Sequence, residues 1–415
     1  MDPSGFDNPH EGLVDSHTAA GFLGVKPATL YSYVSRGRIR AFPGERHRER
    51  RYLQADLERL RRRADARLGH EAVASGALRW GEPVLSSAIT ELRADGPWYR
   101  GHSAVALSRT ERFESVATLL WNGALPARPV YWPHSSLLLP PTVRRELGRM
   151  GDPLGVLLAG LAWLRSQERA RAVPDGGPPR LLVQQLLGLA ALACGTSPEA
   201  ALAERSIAAG LLQALGLPPR REAIRAVNAA LVLSADHELN VSSFAARVAA
   251  STGADLPACL VAALATFTGP RHGAESARVQ ALLVETGSPS RARATLLARI
   301  RRGEGLPGFA HPLYRNGDPR ARVLLEHARR LGGRRPRPML ATALALTEQA
   351  ERMGLDGATL DLGALALAHA LGAPPVSASL LFCVGRSAGW VAHVQEQRTS
   401  GELLRPRARY VGPRG

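Results

Sequence analysis

Gly308-Phe309-Ala310-His311-Pro312-Leu313-Tyr314-Arg315-Asn316-Gly317-Asp318-Pro319-Arg320 breaks into a chain that otherwise reads as apolar helix. Glycine and proline punctuate the stretch, which marks it as a turn region rather than part of a helix. It gathers a histidine, two arginines and an aspartate where loops present chemistry. Three more polar islands share this character. They are Ser234-Ala235-Asp236-His237-Glu238-Leu239-Asn240, Thr268-Gly269-Pro270-Arg271-His272-Gly273, and a C-terminal set. The last comprises Asp361, Gly385-Arg386-Ser387-Ala388-Gly389-Trp390 and Leu404-Arg405-Pro406-Arg407. One histidine in a turn is more often structural than catalytic. Four islands combining His, Arg and Asp at helix junctions are harder to dismiss as structure.

Between the islands the apolar residues recur with helical spacing. Helices are predicted over 113–122, 142–150, 152–166, 179–194, 198–215, 219–234, 242–252, 257–267, 274–286, 290–302, 319–330, 338–354, 360–371 and 377–398. Ala and Leu dominate and only 5% of residues are aromatic, which favours helix over strand. No repeat period is evident. An all-α globule follows from pattern, and pattern alone names no reaction.

The chain of 415 residues is long enough for one large domain and a small one. Its net charge is +17, yet Lys26 is the only lysine. An arginine-dominated balance of this kind also arises from coding bias, so local clusters carry more information than the total. Cys194, Cys259 and Cys383 lie far apart in apolar surroundings, as buried free thiols in a reducing compartment do. No metal-ligand spacing is present. The polar start at Met1-Asp2-Pro3 is no signal peptide, and apolar runs such as 181–193 are too short to span a bilayer. A cytoplasmic protein without membrane contact is expected.

The islands resemble the signatures of the citrate synthase family. Asp-His-Glu-Leu-Asn, Gly-Pro-x-His-Gly, Gly-Phe-x-His followed by Asp-Pro-Arg-Ala, Arg-Ser-Ala-Gly-Trp-Val-Ala-His and Arg-Pro-Arg-Ala-Arg-Tyr-Val-Gly occur in order and at fitting spacing. Upstream, Trp98-Tyr99-Arg100-Gly101, Phe113-Glu114-Ser115-Val116-Ala117 and Leu119-Leu120-Trp121-Asn122-Gly123 extend the likeness. It covers about residues 80–413. It implies an all-α homodimer, each subunit with a large domain and a smaller one, about 273–371, inserted within a body of 79–415.

The resemblance also implies roles. Asp361 matches the base that removes a proton from the acetyl methyl group of acetyl-CoA. His272 matches a neutral donor to the thioester oxygen, and His311 the histidine that polarises the ketone of oxaloacetate. Arg320, Arg386 and Arg405 match the forks that hold the oxaloacetate carboxylates, Arg405 reaching across the dimer. His237 matches a further oxaloacetate contact, although a helix-end cap is its bland alternative. Arg315 matches a basic residue near the CoA phosphates. No metal or redox cofactor is implied, acetyl-CoA being a substrate. Three departures stand out. Thr359-Leu360-Asp361-Leu362 differs from the family's usual Asn-Val-Asp-Phe, which leaves Asp356 as a rival base. Ser234 stands where a histidine is common, and Ala310 where a glycine is usual. A positive φ at position 310 would strain its Cβ beside His311.

Residues 1–12 are polar and predicted disordered, and 68–78 read as a linker. Between them, 13–67 form a small unit. Ser16 is placed to cap a helix to Leu23, Gly24-Val25 make a turn, and Pro27 opens a second helix to about Ser35. Arg38-Ile39-Arg40 read as a short strand, 43–51 as a charged hairpin, and Leu53, Leu57 and Leu60 as one face of a third helix. Helix, turn, helix, basic hairpin, helix outlines a winged helix-turn-helix, and 19–37 resemble the excisionase-like family. Thr29, Arg36, Arg46, Arg48 and Arg51 are candidate DNA contacts. A protein-interaction module is the competing reading.

Three functions follow from the sequence. The first is condensation of acetyl-CoA with oxaloacetate and water to citrate and CoA. The second is a 2-methylcitrate synthase using propionyl-CoA, one methylene being worth only about 1–3 kcal/mol of discrimination. The third is a DNA-binding regulator whose synthase-like domain senses metabolites.

Overall fold

In the computed structural model, the structure describes residues 13–23, 25–35, 39–43, 50–53, 56–57, 60, 85–166, 178–270, 272–273, 275–311, 313–314, 317–406 and 412. The expectations for 1–12 and for the linker 68–78 lie outside these residues, as do those for Arg36, Arg46, Arg48 and Arg315.

The N-terminal unit runs β1 (Leu13–Val14), α1 (Ser16–Leu23), α2 (Pro27–Ser35), β2 (Ala41–Pro43) and β3 (Arg50–Leu53). Its three strands are antiparallel in the order β1-β3-β2. Ala19, Leu30, Ile39, Tyr52 and Leu57 are buried in its core. Three local expectations change. Asp15, not Ser16, caps α1, its carboxylate accepting the Thr18 N–H at 2.8 Å. Ile39 is a buried bend residue, and the strand begins at Ala41. Leu53 ends β3, where it pairs with Leu13, rather than opening a helix. Arg40 closes the unit by giving both its backbone N–H (2.9 Å) and its Nε–H (3.0 Å) to the buried Asp56 carboxylate.

The main body opens with a small meander, β4 (Thr90–Arg93), β5 (Gly96–Tyr99) and β6 (His102–Ser103). The strands at 90–103 are too short to leave a period in the sequence. Helices follow: α3 (Ala104–Thr110), α4 (Phe113–Asn122), α5 (Pro141–Leu147), α6 (Pro153–Ser166), α7 (Pro179–Ala193), α8 (Pro198–Leu202), α9 (Ile207–Ala214), α10 (Arg221–Ser234), α11 (Val241–Ser251), α12 (Leu256–Phe267) and α13 (Glu275–Thr286). A 3-10 turn at Pro289–Arg291 leads into α14 (Ala292–Arg301), then α15 (Pro319–Gly332), α16 (Pro338–Arg352), α17 (Leu360–Leu371) and α18 (Ser377–Ser400).

The predicted helix over 198–215 is two helices. Ser206 caps the second, accepting the Ala209 N–H at 3.2 Å, and the buried Glu114 carboxylate accepts the Ile207 N–H at 2.7 Å. A fresh N-terminus thus finds two acceptors, and the chain restarts there instead of continuing.

Helix α18 is the axis of the body. It is buried along most of its length and packs on α4, α7, α10, α11, α12 and α17. Helices α13 to α17 pack chiefly on one another, α15 against α17 above all, and meet the rest through α3, α10 and α18. The polar islands fall at this junction. Among the described residues no helix is long and apolar enough to cross a membrane, and no cluster of His, Cys, Asp or Glu is arranged to hold a metal ion.

Candidate functional site

The turn between α10 and α11 presents His237. Tyr99, buried on β5, accepts the Asp236 N–H at 3.2 Å and donates its hydroxyl among the carbonyls of Val232 and Asp236, each at 3.0 Å. Asn240 then caps α11 through the N–H groups of Ser242 and Ser243. Gly389 of α18 donates its N–H to Ala235 O at 2.9 Å, and a Cβ there would stand 2.3 Å from that same oxygen. Only glycine lets the helix lie this close to the turn.

His272 follows α12. Gly273 closes back on the helix through its N–H to Phe267 O at 2.9 Å, where a Cβ would lie 2.2 Å from that carbonyl. His272 Nε2 meets Ser242 Oγ at 2.9 Å, and Trp390 Nε1–H donates to the same oxygen at 3.1 Å. Burial, and secondly the charge of Arg386, push the imidazole down to about 4.

His311 and Asp361 are tied into one unit. Phe309 bridges Ala358, Ala310 N–H donates to Gly357 O at 3.2 Å, and Thr359 N–H to Gly308 O at 2.8 Å. Asp318 caps α15 and also accepts the Leu360 N–H at the start of α17 (3.2 Å). His311 Nδ1 accepts the Leu313 N–H at 3.2 Å, so its ring proton sits on Nε2. Burial and Arg320 hold His311 down to about 4. The expected strain is present: Ala310 has φ +65°. Asp361, in the first turn of α17, is pushed up to about 7 by burial and then by Glu275, with Arg320 opposing.

His237 and His311 face each other edge to face, 5.3 Å between ring centroids, and His237 Nε2 lies 2.9 Å from Tyr314 Oη. Burial and the charge of Arg320 hold His237 well below the ordinary histidine range. Arg320 is buried against Asp318, with Nη2 to Oδ2 at 2.8 Å. Arg386 is buried over the Phe382 ring at 4.5 Å and gives Nε–H to Ser234 O at 2.7 Å. Burial lowers its pKa to about 10. Its terminal nitrogens meet no protein acceptor among the described residues.

The fold therefore brings together His237, His272, His311, Arg320, Arg386 and Asp361 from four separate islands. It does not bring in Arg405, which is exposed and makes no hydrogen bond or ion pair among the described residues. Tyr314, Ser242, Asp318 and Glu275 were missed as site residues from sequence. Tyr314 and Asp318 lay inside the quoted island, while Ser242 and Glu275 look like ordinary first-turn helix residues. In the N-terminal unit, Thr29 is half-buried on α2, Tyr31 exposed beside it, and Arg51 half-buried on β3.

Residues 77–407 match the family model described as citrate synthase, C-terminal domain, and residues 17–65 match a helix-turn-helix domain, the excisionase-like class. A relative from Mycobacterium tuberculosis is 43% identical over 196 residues, 46% of this chain and 52% of the relative. The aligned stretch thus spans about half the length of that relative. A 2-methylcitrate synthase of Shewanella oneidensis is 28% identical over 354 residues, 80% of this chain and 92% of that protein. The crystal structure of citrate synthase from Thermotoga maritima superposes with a TM-score of 0.63 at 27% identity, covering 80% of this chain and 94% of that one. The chain belongs to the citrate synthase family and carries a helix-turn-helix domain ahead of the family domain.

Proposed function

We propose that the chain condenses acetyl-CoA with oxaloacetate and water, giving citrate and CoA. The observation that carries this reading is the pair of buried guanidiniums, Arg320 and Arg386, set among two histidines held neutral and a carboxyl raised to about 7. Two buried cations with donors to spare suit a dicarboxylate. Asp361 as carboxylate takes a proton from the acetyl methyl carbon while a hydrogen bond from His272 stabilises the enol oxygen. Trp390 N–H can only donate, so Ser242 Oγ accepts it. The hydroxyl hydrogen of Ser242 goes to Asn240 Oδ1 at 2.7 Å, and His272 Nε2 lies 2.9 Å from the same hydroxyl oxygen. The enol carbon attacks the ketone carbon of oxaloacetate, His311 Nε2–H supplies the proton to the ketone oxygen, and the proton taken up by Asp361 returns to His311 by way of solvent. Water then cleaves the thioester, releasing CoA as the thiol and citrate as the acid. Arg405 of a second copy would complete the carboxylate site in a homodimer. This chemistry needs no metal or redox cofactor, and Arg315 is assigned to the CoA phosphates.

The likeness to the Shewanella 2-methylcitrate synthase across 92% of that protein supports propionyl-CoA as the alternative acyl donor. A thiol-release assay with oxaloacetate and a panel of acyl-CoAs decides between them. No oxaloacetate-dependent CoA release with any short acyl-CoA would refute the enzyme reading and leave the metabolite-sensing regulator. For the N-terminal domain we propose DNA binding through Thr29 on α2 and the arginines of the hairpin. Deleting residues 1–70 is expected to abolish a salt-sensitive mobility shift and spare CoA release. No shift at low salt would leave the domain as a protein-interaction module.

A further inference from the structure

Behind the turn that carries His237 runs a buried polar chain that the proposed chemistry leaves unused. Asp236, fully buried, takes the Thr90 hydroxyl (2.6 Å) and the Glu238 N–H (3.1 Å) on Oδ2. Its Oδ1 lies 3.2 Å from Nε2 of His393, which is also fully buried on α18. The two atoms are in close contact without the alignment of a hydrogen bond, and neither has another partner among the described residues. His393 Nδ1 accepts the Nε–H of buried Arg247 at 3.0 Å. The remaining nitrogens of Arg247 reach Gln397 (3.2 Å) and the Glu396 carboxylate, and Glu396 accepts the Ala88 N–H at 2.8 Å.

The direction of the chain is set by chemistry. Arginine only donates, so His393 Nδ1 must accept and the ring proton must sit on Nε2, facing Asp236. A buried assembly of this kind adds little stability over an apolar core of the same volume, so its place is better explained by what it orders. Asp236 precedes His237 in the chain, and Glu238, held by the same carboxylate, has φ +56°. Arg386, Gly389 or Trp390, and His393 fall at helical spacing on α18, where Gly389 already grips Ala235. His393 thus touches the His237 turn through Asp236 and shares a helix face with Arg386.

We propose that Arg247, His393 and Asp236 form a positioning relay that holds His237 and Arg386 in register at the oxaloacetate end of the site. This rests on the functional reading given above. His393→Leu removes both contacts, whereas His393→Gln offers an amide oxygen to Arg247 and an amide N–H to Asp236. In the CoA-release assay, His393→Leu should raise the oxaloacetate KM by about tenfold or more and leave the acyl-CoA KM within about twofold, and His393→Gln should recover to within about threefold of wild type. Equal behaviour of the two variants, or KM values for both substrates rising together, would overturn the relay. A second measurement needs neither turnover nor a folded Leu variant. In 15N-histidine-labelled wild-type protein, the imidazole signal lost in His393→Gln should report a proton on Nε2, and a proton on Nδ1 would refute the relay. A wild type silent in the assay would count against the functional reading, and the NMR result would still decide the relay.

Discussion

Glu275→Gln separates the base from its surroundings. Asp361 is raised to about 7 first by burial and then by the Glu275 charge. Glu275 also holds the backbone, its Oε1 accepting the Gly308 N–H at 3.0 Å, while Oε2 meets Arg278 at 3.2 Å. Glutamine keeps an acceptor for Gly308 and removes the charge, together with the Arg278 ion pair. A carboxyl with its pKa at about 7 is roughly one-tenth ionised at pH 6 and nine-tenths at pH 8. Lowering that pKa therefore raises kcat/KM at pH 6 by between about two- and tenfold, ten being the ceiling, and leaves the rate at pH 8 nearly unchanged. His272 and His311 cannot produce this limb. Both are held down to about 4, so they are neutral donors throughout the range in which Asp361 titrates. The assay is CoA release at saturating oxaloacetate across pH 5.5–8.5, with thermal melts to confirm an intact fold. The reasoning fails if the wild-type acid limb lies near 4 or 5, or if the limb of a well-folded Glu275→Gln variant does not move.

Further outcomes are expected. Asp361→Asn should abolish CoA release while sparing oxaloacetate binding. Because the folded protein holds the Asp361 proton more tightly than the unfolded chain, stability falls as pH rises from about 4 to 7, by at most about 4 kcal/mol. Asp361→Asn should therefore melt higher than wild type at pH 8 and alike at pH 4; no difference at pH 8 would deny the buried charge. Ala310→Gly exchanges about 1–2 kcal/mol of left-handed strain for about 0.4–1 kcal/mol of added unfolded-state freedom. Melts should show it as stable as wild type or slightly more so, whereas a clear drop would mean that the alanine methyl packs productively. Arg386→Leu should weaken oxaloacetate binding in calorimetry by about 1.5–3 kcal/mol per lost charge-assisted bond. Arg405→Leu should match it only if a second subunit lends that residue, and an Arg405→Leu protein with unchanged affinity would remove it from the site.

The sequence by itself determined the helical class, the helix junctions and the residues that carry chemistry. Phe113–Asn122 and Leu360–Leu371 fall where their periodicity places them, because burial of one face imposes the 3.6-residue spacing on the chain itself. The four islands were legible for the same reason: charge and glycine stand out against an apolar background. Short elements were not. The meander at 90–103 and the restart at Ser206 depend on partners more than ninety residues away in the chain, such as Glu114 at Ile207. What only the tertiary structure decided is how the islands act on one another. Glu275 raises Asp361 from another helix, Tyr314 meets His237, and Ser242 Oγ sits between Asn240 and His272. His393, which from sequence looks like one more histidine on a helix, proves to sit between Arg247 and Asp236. Local sequence encodes which groups a helix end presents. Their protonation and orientation depend on desolvation and on neighbouring charges, and those exist only once distant segments have packed together.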